Sequence, residues 1–156
     1  MGKRGDYSQN AARIAVKKGY QQVYWFFGGI PEWRDFNYTM FVDKDWQRIR
    51  VKMIPPKTFN VLLNGEKICH LDVRPQNYKR NRFFIKDSII CPLMDLETFF
   101  PNIEKDRFIL VSDVAMQQSI SAAKFLIKNK YSVIGVLKGG IERWMSERYP
   151  VEKRGS

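Results

Sequence analysis

Residues 108–144, FILVSDVAMQQSISAAKFLIKNKYSVIGVLKGGIERW, leave the chain few ways to fold. They open on an apolar run, 108–111, with charge on one side and a polar loop on the other, as a buried strand does. The loop SDVAMQQ leads into a predicted helix over 119–130. Ala122, Ala123, Leu126 and Ile127 share one helical face, and Lys124 and Lys128 are left for water. A second apolar run, 133–137, reads as another buried strand. Gly139 and Gly140 then supply a tight turn where a Cβ would be strained, and a short helix carries Trp144. Strand, loop, helix, strand is a βαβ unit, so the two strands should be parallel. Sheets of this kind place their chemistry in the loops leaving the carboxyl ends of the strands.

The same pattern occurs twice. Residues 8–33, SQNAARIAVKKGYQQVYWFFGGIPEW, align without a gap on 119–144 at a constant offset of 111, Ser8 falling on Ser119 and Trp33 on Trp144. Ser8, Ala11, Ala12, Lys17, Tyr20, Gly28, Gly29, Ile30 and Trp33 each meet an identical residue. Two unrelated βα segments would not keep Ser-x-x-Ala-Ala and Gly-Gly-Ile-x-x-Trp together, so this is a repeat with one copy cut short.

Residues 1–36 therefore read as the trailing fragment of a first domain, 37–52 as a linker without sustained period, and 53–153 as a complete second domain. The fragment should hold a helix over 8–18, a strand over 23–26 and a short helix at Trp33. Tyr24, Trp25, Phe26 and Phe27 then need a partner: the second domain, another chain or sequence upstream of Met1, the last being the favoured expectation. In the second domain, Pro55 and Pro56 precede a helix ending near Leu63. Strands are expected at 67–73 and 88–91, with a basic loop between them and a helix over 94–100 after them. Helices alternating with short apolar strands imply an α/β fold, an open and mostly parallel sheet covered on both faces.

Composition narrows the function classes. No apolar run approaches the ~20 residues that span a bilayer, and the basic N-terminus is not followed by the apolar stretch of a secretory signal. Cys69 and Cys91, the only cysteines, lie in strand-like apolar runs, which argues against a disulfide framework and makes a reducing, cytoplasmic location the default. A net charge of +11 favours anionic partners, an anionic small molecule or a protein. Nucleic acid is disfavoured, because the basic residues are scattered over Lys3-Arg4, Lys17-Lys18, 79–82 and 128–130 without a recognition element.

Four features in order, Asp72-Val73-Arg74-Pro75, Ile90-Cys91-Pro92-Leu93, the loop and helix at Ser119, and Gly139-Gly140-Ile141-x-x-Trp144, resemble the rhodanese family of sulfurtransferases. The resemblance covers about 55–153 as a full domain and 1–36 as the end of another. It implies a five-stranded parallel sheet with helices on both faces, often in tandem copies, and no cofactor. Asp72, Arg74, Gly139, Gly140 and Trp144 are implied structural positions.

Catalytic relatives carry a loop Cys-x-x-x-x-Arg/Lys-Ser/Thr. Its thiolate rests among backbone N–H groups above a helix N-terminus, attacks the outer sulfur of thiosulfate or a persulfide, and hands that sulfur on. Matching the terminal residue to Ser119 aligns this loop on Asp113, Val114, Ala115, Met116, Gln117, Gln118 and Ser119. Asp113 takes the nucleophile's place and Gln118 the cation's. A carboxylate carries no sulfur, and as an anion it would fill the site itself and repel thiosulfate. Asp113 is thus expected to stabilise the loop and helix terminus; an aspartyl nucleophile lacks a metal ligand or cation beside it.

In the first copy the corresponding loop, GKRGDY, has no cysteine. Gly2 lies six residues before Ser8, and longer family loops would put the cysteine just upstream of Met1, with Lys3 and Arg4 suited to an anion loop. Cys69, Cys91 and His70 are expected as core residues, and one histidine with two separated cysteines makes no zinc site. The leading expectation is an inactive rhodanese-like module that binds or regulates a second rhodanese-like domain. Two others stand beside it: an active sulfurtransferase whose cysteine precedes Met1, and a basic nucleic-acid-binding protein.

Overall fold

Alternation along the strands decides which side chains enter which layer. In residues 68–72 the odd positions, Cys69 and Leu71, join one apolar cluster, while His70 and Asp72 turn to the other face. In residues 108–112, Ile109 and Val111 share the cluster of Cys69 and Leu71, and Leu110 enters the opposite one. Both faces are therefore covered, as the continuous apolar runs required.

The computed structural model describes residues 6–41, 43–75 and 82–153. The chain divides into two compact units, residues 1–42 and 43–156. The first holds α1 (Asp6–Lys17) and α2 (Gly29–Asp35). The second runs α3 (Lys44–Arg48), β1 (Met53–Ile54), α4 (Pro56–Leu63), β2 (Ile68–Asp72), β3 (Phe83–Phe84) and β4 (Ile89–Ile90). It continues through α5 (Leu96–Phe99), β5 (Phe108–Ser112), α6 (Ser119–Lys128), β6 (Ser132–Leu137), α7 (Gly140–Ser146) and β7 (Glu152–Lys153).

Five strands form one parallel sheet in the order β1-β6-β5-β2-β4. On one face, Ala122, Ala123 and Leu126 of α6 and Leu96 of α5 pack over β2 and β5. On the other, Phe59 of α4 and Ile141 and Trp144 of α7 pack over Ile54, Leu110 and Leu137. From β2 the chain moves outward to β4, then returns to β5 on the other side of β2. The carboxyl ends of β2 and β5 thus flank the point where the strand order reverses, which is where open sheets form crevices.

Several expectations change. The fifth strand is β1, only two residues long and unannounced by any periodicity. It is held through β6, where Val136 N–H donates to Lys52 C=O at 2.8 Å. Gly135 makes that approach feasible, since a Cβ there would lie 2.3 Å from the Lys52 oxygen. The expected linker contains α3, capped by the Asp43 carboxylate accepting from Trp46 N–H at 2.9 Å. Lys124 and Lys128 also hold this segment: Lys124 donates to Trp46 C=O at 3.0 Å and Lys128 pairs with Asp43 at 2.8 Å. Residues 94–100 are not one helix but α5 between two 3-10 turns, Leu93–Asp95 and Phe100–Asn102. The antiparallel pair β3–β7 was not expected at all. Lys79 and Arg80 of the basic loop and the loop residues Gly2, Lys3 and Arg4 lie outside the described residues.

The first unit lacks the expected strand: residues 23–26 are irregular. A strand exists only against a neighbour that takes its N–H and C=O groups, and no described segment pairs with this one. Much of the local geometry nevertheless recurs at the offset of 111, although Gly28 has φ −78° where Gly139 has φ 80°. Left-handed residues fall at Gly19 and Lys130, at Gly29 and Gly140, and at Asn37 and Arg148. Trp33 Nε1 donates to Thr39 C=O at 3.1 Å, and Trp144 Nε1 donates to Pro150 C=O at 2.9 Å. The Trp33–Tyr38 ring centroids are 4.9 Å apart and those of Trp144 and Tyr149 4.8 Å. Burial differs: Trp33 is 39% exposed and Trp144 is fully buried.

That difference sets an expected outcome. Trp144→Ala should cost about 3–5 kcal/mol in urea unfolding followed by far-ultraviolet dichroism, and Trp33→Ala less than about 1.5 kcal/mol. Equal losses would mean that the Trp33 ring is covered in solution.

Candidate functional site: the loop after β5

The end of β5 delivers Asp113 into the loop 113–119, and its carboxylate turns inward, 2% exposed. Oδ1 accepts from Met116 N–H at 2.6 Å and from the Ser119 hydroxyl at 3.2 Å; Oδ2 accepts from Gln118 N–H at 2.5 Å and Ser119 N–H at 3.1 Å. Two of these amides begin α6, so a residue five and six positions upstream performs the capping that Gln118 itself does not. Among the described residues Asp113 has no ion-pair partner, and its charge is met by amides and one hydroxyl.

The loop closes against the β6–α7 turn. Ile141 N–H donates to Asp113 C=O at 2.8 Å and Glu142 N–H to Val114 C=O at 3.1 Å. Met116 has a left-handed backbone, φ 63°, and its Sδ accepts from Gly139 N–H at 2.8 Å. Gly139 and Gly140 have φ of 80° and 62°, and a Cβ on Gly140 would stand 2.2 Å from the Val114 carbonyl oxygen. The Gly-Gly pair therefore serves as both turn and wall of the loop. Of the remaining loop residues, Ala115 and Gln117 are exposed and Val114 and Gln118 half-buried.

Asp72 and Arg74 brace the neighbouring strand end. Arg74 Nε bonds both Asp72 carboxylate oxygens at 2.8 and 2.9 Å, and the guanidinium also donates to Phe83 C=O at 2.9 Å. Both side chains are buried. The pair thus ties the loop after β2 to β3, a structural job.

Neither thiol approaches this loop's bonding network. Cys69 and Cys91 are buried in the α5/α6-side cluster. Burial pushes the Cys91 thiol up to about 11, and raises that of Cys69 against a smaller downward pull from Arg107. Among the described residues no three His, Cys, Asp or Glu groups could hold a metal ion, and no helix is long and apolar enough to cross a membrane.

Sequence reasoning missed one polar pair. His70 Nε2 and Ser112 Oγ lie 2.8 Å apart, both buried, bridging β2 and β5 beside the candidate loop. The sequence signal was the alternation Ile68, His70, Asp72, which puts the imidazole on the α4/α7 face. Burial pulls His70 down to about 4, so it is neutral at pH 7.

Comparison with known proteins decides the family. A sequence model of the rhodanese-like domain matches residues 55–147. The chain belongs to the rhodanese-like domain family. Solved structures agree on the fold of this rhodanese-like chain. A rhodanese-related protein from Thermoplasma volcanium is 24% identical with a TM-score of 0.58, over 65% of this chain and 97% of that one. A rhodanese-like domain protein from Staphylococcus aureus is 16% identical, TM-score 0.57, over 67% and 99%. A thiosulfate sulfurtransferase from Pseudomonas aeruginosa is 17% identical, TM-score 0.61, over 97% of this chain and 31% of that one. No curated protein sequence matches.

The buried imidazole makes stability pH-dependent with a definite sign. The unfolded chain takes a proton near pH 6.5 and the folded one only near 4, so the contribution is complete above 6.5 and is lost as pH falls toward 4. Urea unfolding should show a loss approaching ~3 kcal/mol across that window. His70→Gln should remove the slope between pH 6.5 and 4.5 whatever its effect at pH 7; an unchanged slope would assign it elsewhere.

Proposed function

We propose that residues 53–153 form a rhodanese-like module with no sulfur-transfer activity of its own, acting as a binding or regulatory partner to a neighbouring rhodanese-like domain. One observation carries this: the Asp113 carboxylate already holds the N–H groups of Met116, Gln118 and Ser119, to which a persulfide or thiosulfate anion would have to bind. The position aligned with the family's nucleophile thus bears no sulfur, and the one aligned with its cation is Gln118. Such a loop serves as a rigid recognition surface rather than a reaction centre.

The neighbouring domain is the second part of the proposal. Residues 1–36 are read as the trailing part of another copy, with 37–52 joining the two. The recurrence of left-handed residues and of the tryptophan bond at the offset of 111 supports this. So does the likeness in fold to the Pseudomonas aeruginosa sulfurtransferase, which covers 97% of this chain.

Intact mass after incubation with thiosulfate tests the inactive reading. The expected result is no added sulfur; a stoichiometric adduct on Cys69 or Cys91 would overturn it. Asp113→Cys restores a thiol that can attack the outer sulfur of thiosulfate, forming a sulfur–sulfur bond as sulfite leaves. Alone it should gain little, because Gln118 supplies no cation. Adding Gln118→Arg should raise adduct formation about ten- to hundredfold, the worth of one charge-assisted hydrogen bond.

A further inference from the structure

On the face of the sheet that carries α4 and α7 lies a cavity of ≈ 220 Å³, separate from the loop after β5. Leu63, Ile68, Ile85 and Trp144 line it, and His70 is among the lining residues. His70 is 4% exposed. Its Nε2 is engaged by Ser112 of the neighbouring strand, while Nδ1 is buried and finds no hydrogen-bond partner among the described residues. An orphaned ring nitrogen of this kind costs about 1–3 kcal/mol unless something occupies the space beside it.

The charges around it select against an ion. Asp72 and Arg74, the nearest ionised groups on the histidine's own strand end, are fully paired with each other. Lys86 and Asp87, exposed at the mouth, bring one charge of each sign. The half-buried Asn60 and exposed Asn64 of the α4 end add uncharged hydrogen-bonding groups there. A charged ligand would therefore lose its hydration at the base without finding a counter-charge. A molecule with a flat apolar body and one uncharged hydrogen-bonding tip loses nothing comparable. The tip should be a hydroxyl, which can donate to or accept from the imidazole and so suits either tautomer. Size is consistent, since a cavity of about 150 Å³ already admits benzene.

The geometry points to a binding site for a small uncharged hydroxyl-bearing ring compound, seated between α4, β2 and α7 with its hydroxyl on His70 Nδ1. The site is independent of the sulfur-transfer question, because it shares no residue with the loop 113–119.

Phenol and toluene are the probes, titrated into the isotopically labelled full chain and followed by NMR. Phenol should shift the resonances of Ile68, Ile85, Trp144 and the His70 ring saturably. Toluene, with a methyl in place of the hydroxyl, should bind about tenfold more weakly, the worth of one buried hydrogen bond. Leu63→Trp fills the cavity from its wall and should abolish the phenol shifts while the spectrum stays dispersed. Equal binding of the two probes would overturn the proposal by making the space a plain apolar void. No saturable shift with phenol would make it a water site. Phenol shifts that persist in Leu63→Trp would place the binding elsewhere.

Discussion

One buried carboxylate holds the carboxyl end of this sheet together. Asp113 accepts three backbone N–H bonds and a hydroxyl, and two of those donors are the first amides of α6. Helix termini expose such amides because no earlier turn exists to accept from them, and the helix dipole adds to their pull on an anion. Charge-assisted bonds of this type are worth about 1.5–3 kcal/mol each when the donors would otherwise be buried and empty. The same residue's carbonyl accepts from Ile141 at the start of α7. Side chain and main chain of a single aspartate therefore join β5, α6 and α7.

The buried carboxylates of Asp72 and Asp113 are partnered differently, and the difference bears on chemistry. Asp72 meets a guanidinium held in its own loop, so the pair adds no net charge to the interior. Asp113 meets only dipoles, so a full negative charge remains at the loop. A second anion arriving at that loop would face this charge without a compensating cation, and the amides that could receive it are already engaged. The chain's net charge of +11 does not alter this, since none of the groups bonded to Asp113 is a lysine or arginine. Net charge brings anions toward a surface; only local donors decide whether one is held.

What could be read in advance follows from the range of the interaction concerned. Strands β5 and β6 were visible because strands buried on both faces must be continuously apolar. The Gly139-Gly140 turn was visible because left-handed backbone nearly demands glycine. The inward-facing Asp113 could be located by its six-residue spacing from Ser119. By contrast β1, two residues long, exists because β6 offers an edge, and nothing within Met53 and Ile54 announces that. The His70–Ser112 bond joins residues 42 apart, and β3–β7 pairing joins segments further apart still. These depend on register between strands, which no local pattern carries. Helix α3 is a different kind of miss: Asp43 immediately before it was a readable cap.

The two stretches that align at the offset of 111 separate local from tertiary causes within one chain. In both, the helix ends with an equivalent bond: Tyr20 N–H to Ala15 C=O and Tyr131 N–H to Leu126 C=O, at 3.2 and 3.0 Å. In both, the second helix ends through matched bonds, Tyr38 to Trp33 and Tyr149 to Trp144. These features need only residues within one short stretch, and they form whether or not a sheet lies beneath. The segment between the helices behaves otherwise. Residues 132–137 are a strand because β5 and β1 flank them, while 23–26, at the equivalent place and richer in aromatics, are not. Aromatic and β-branched content thus marks a segment able to be a strand, and the neighbour makes it one.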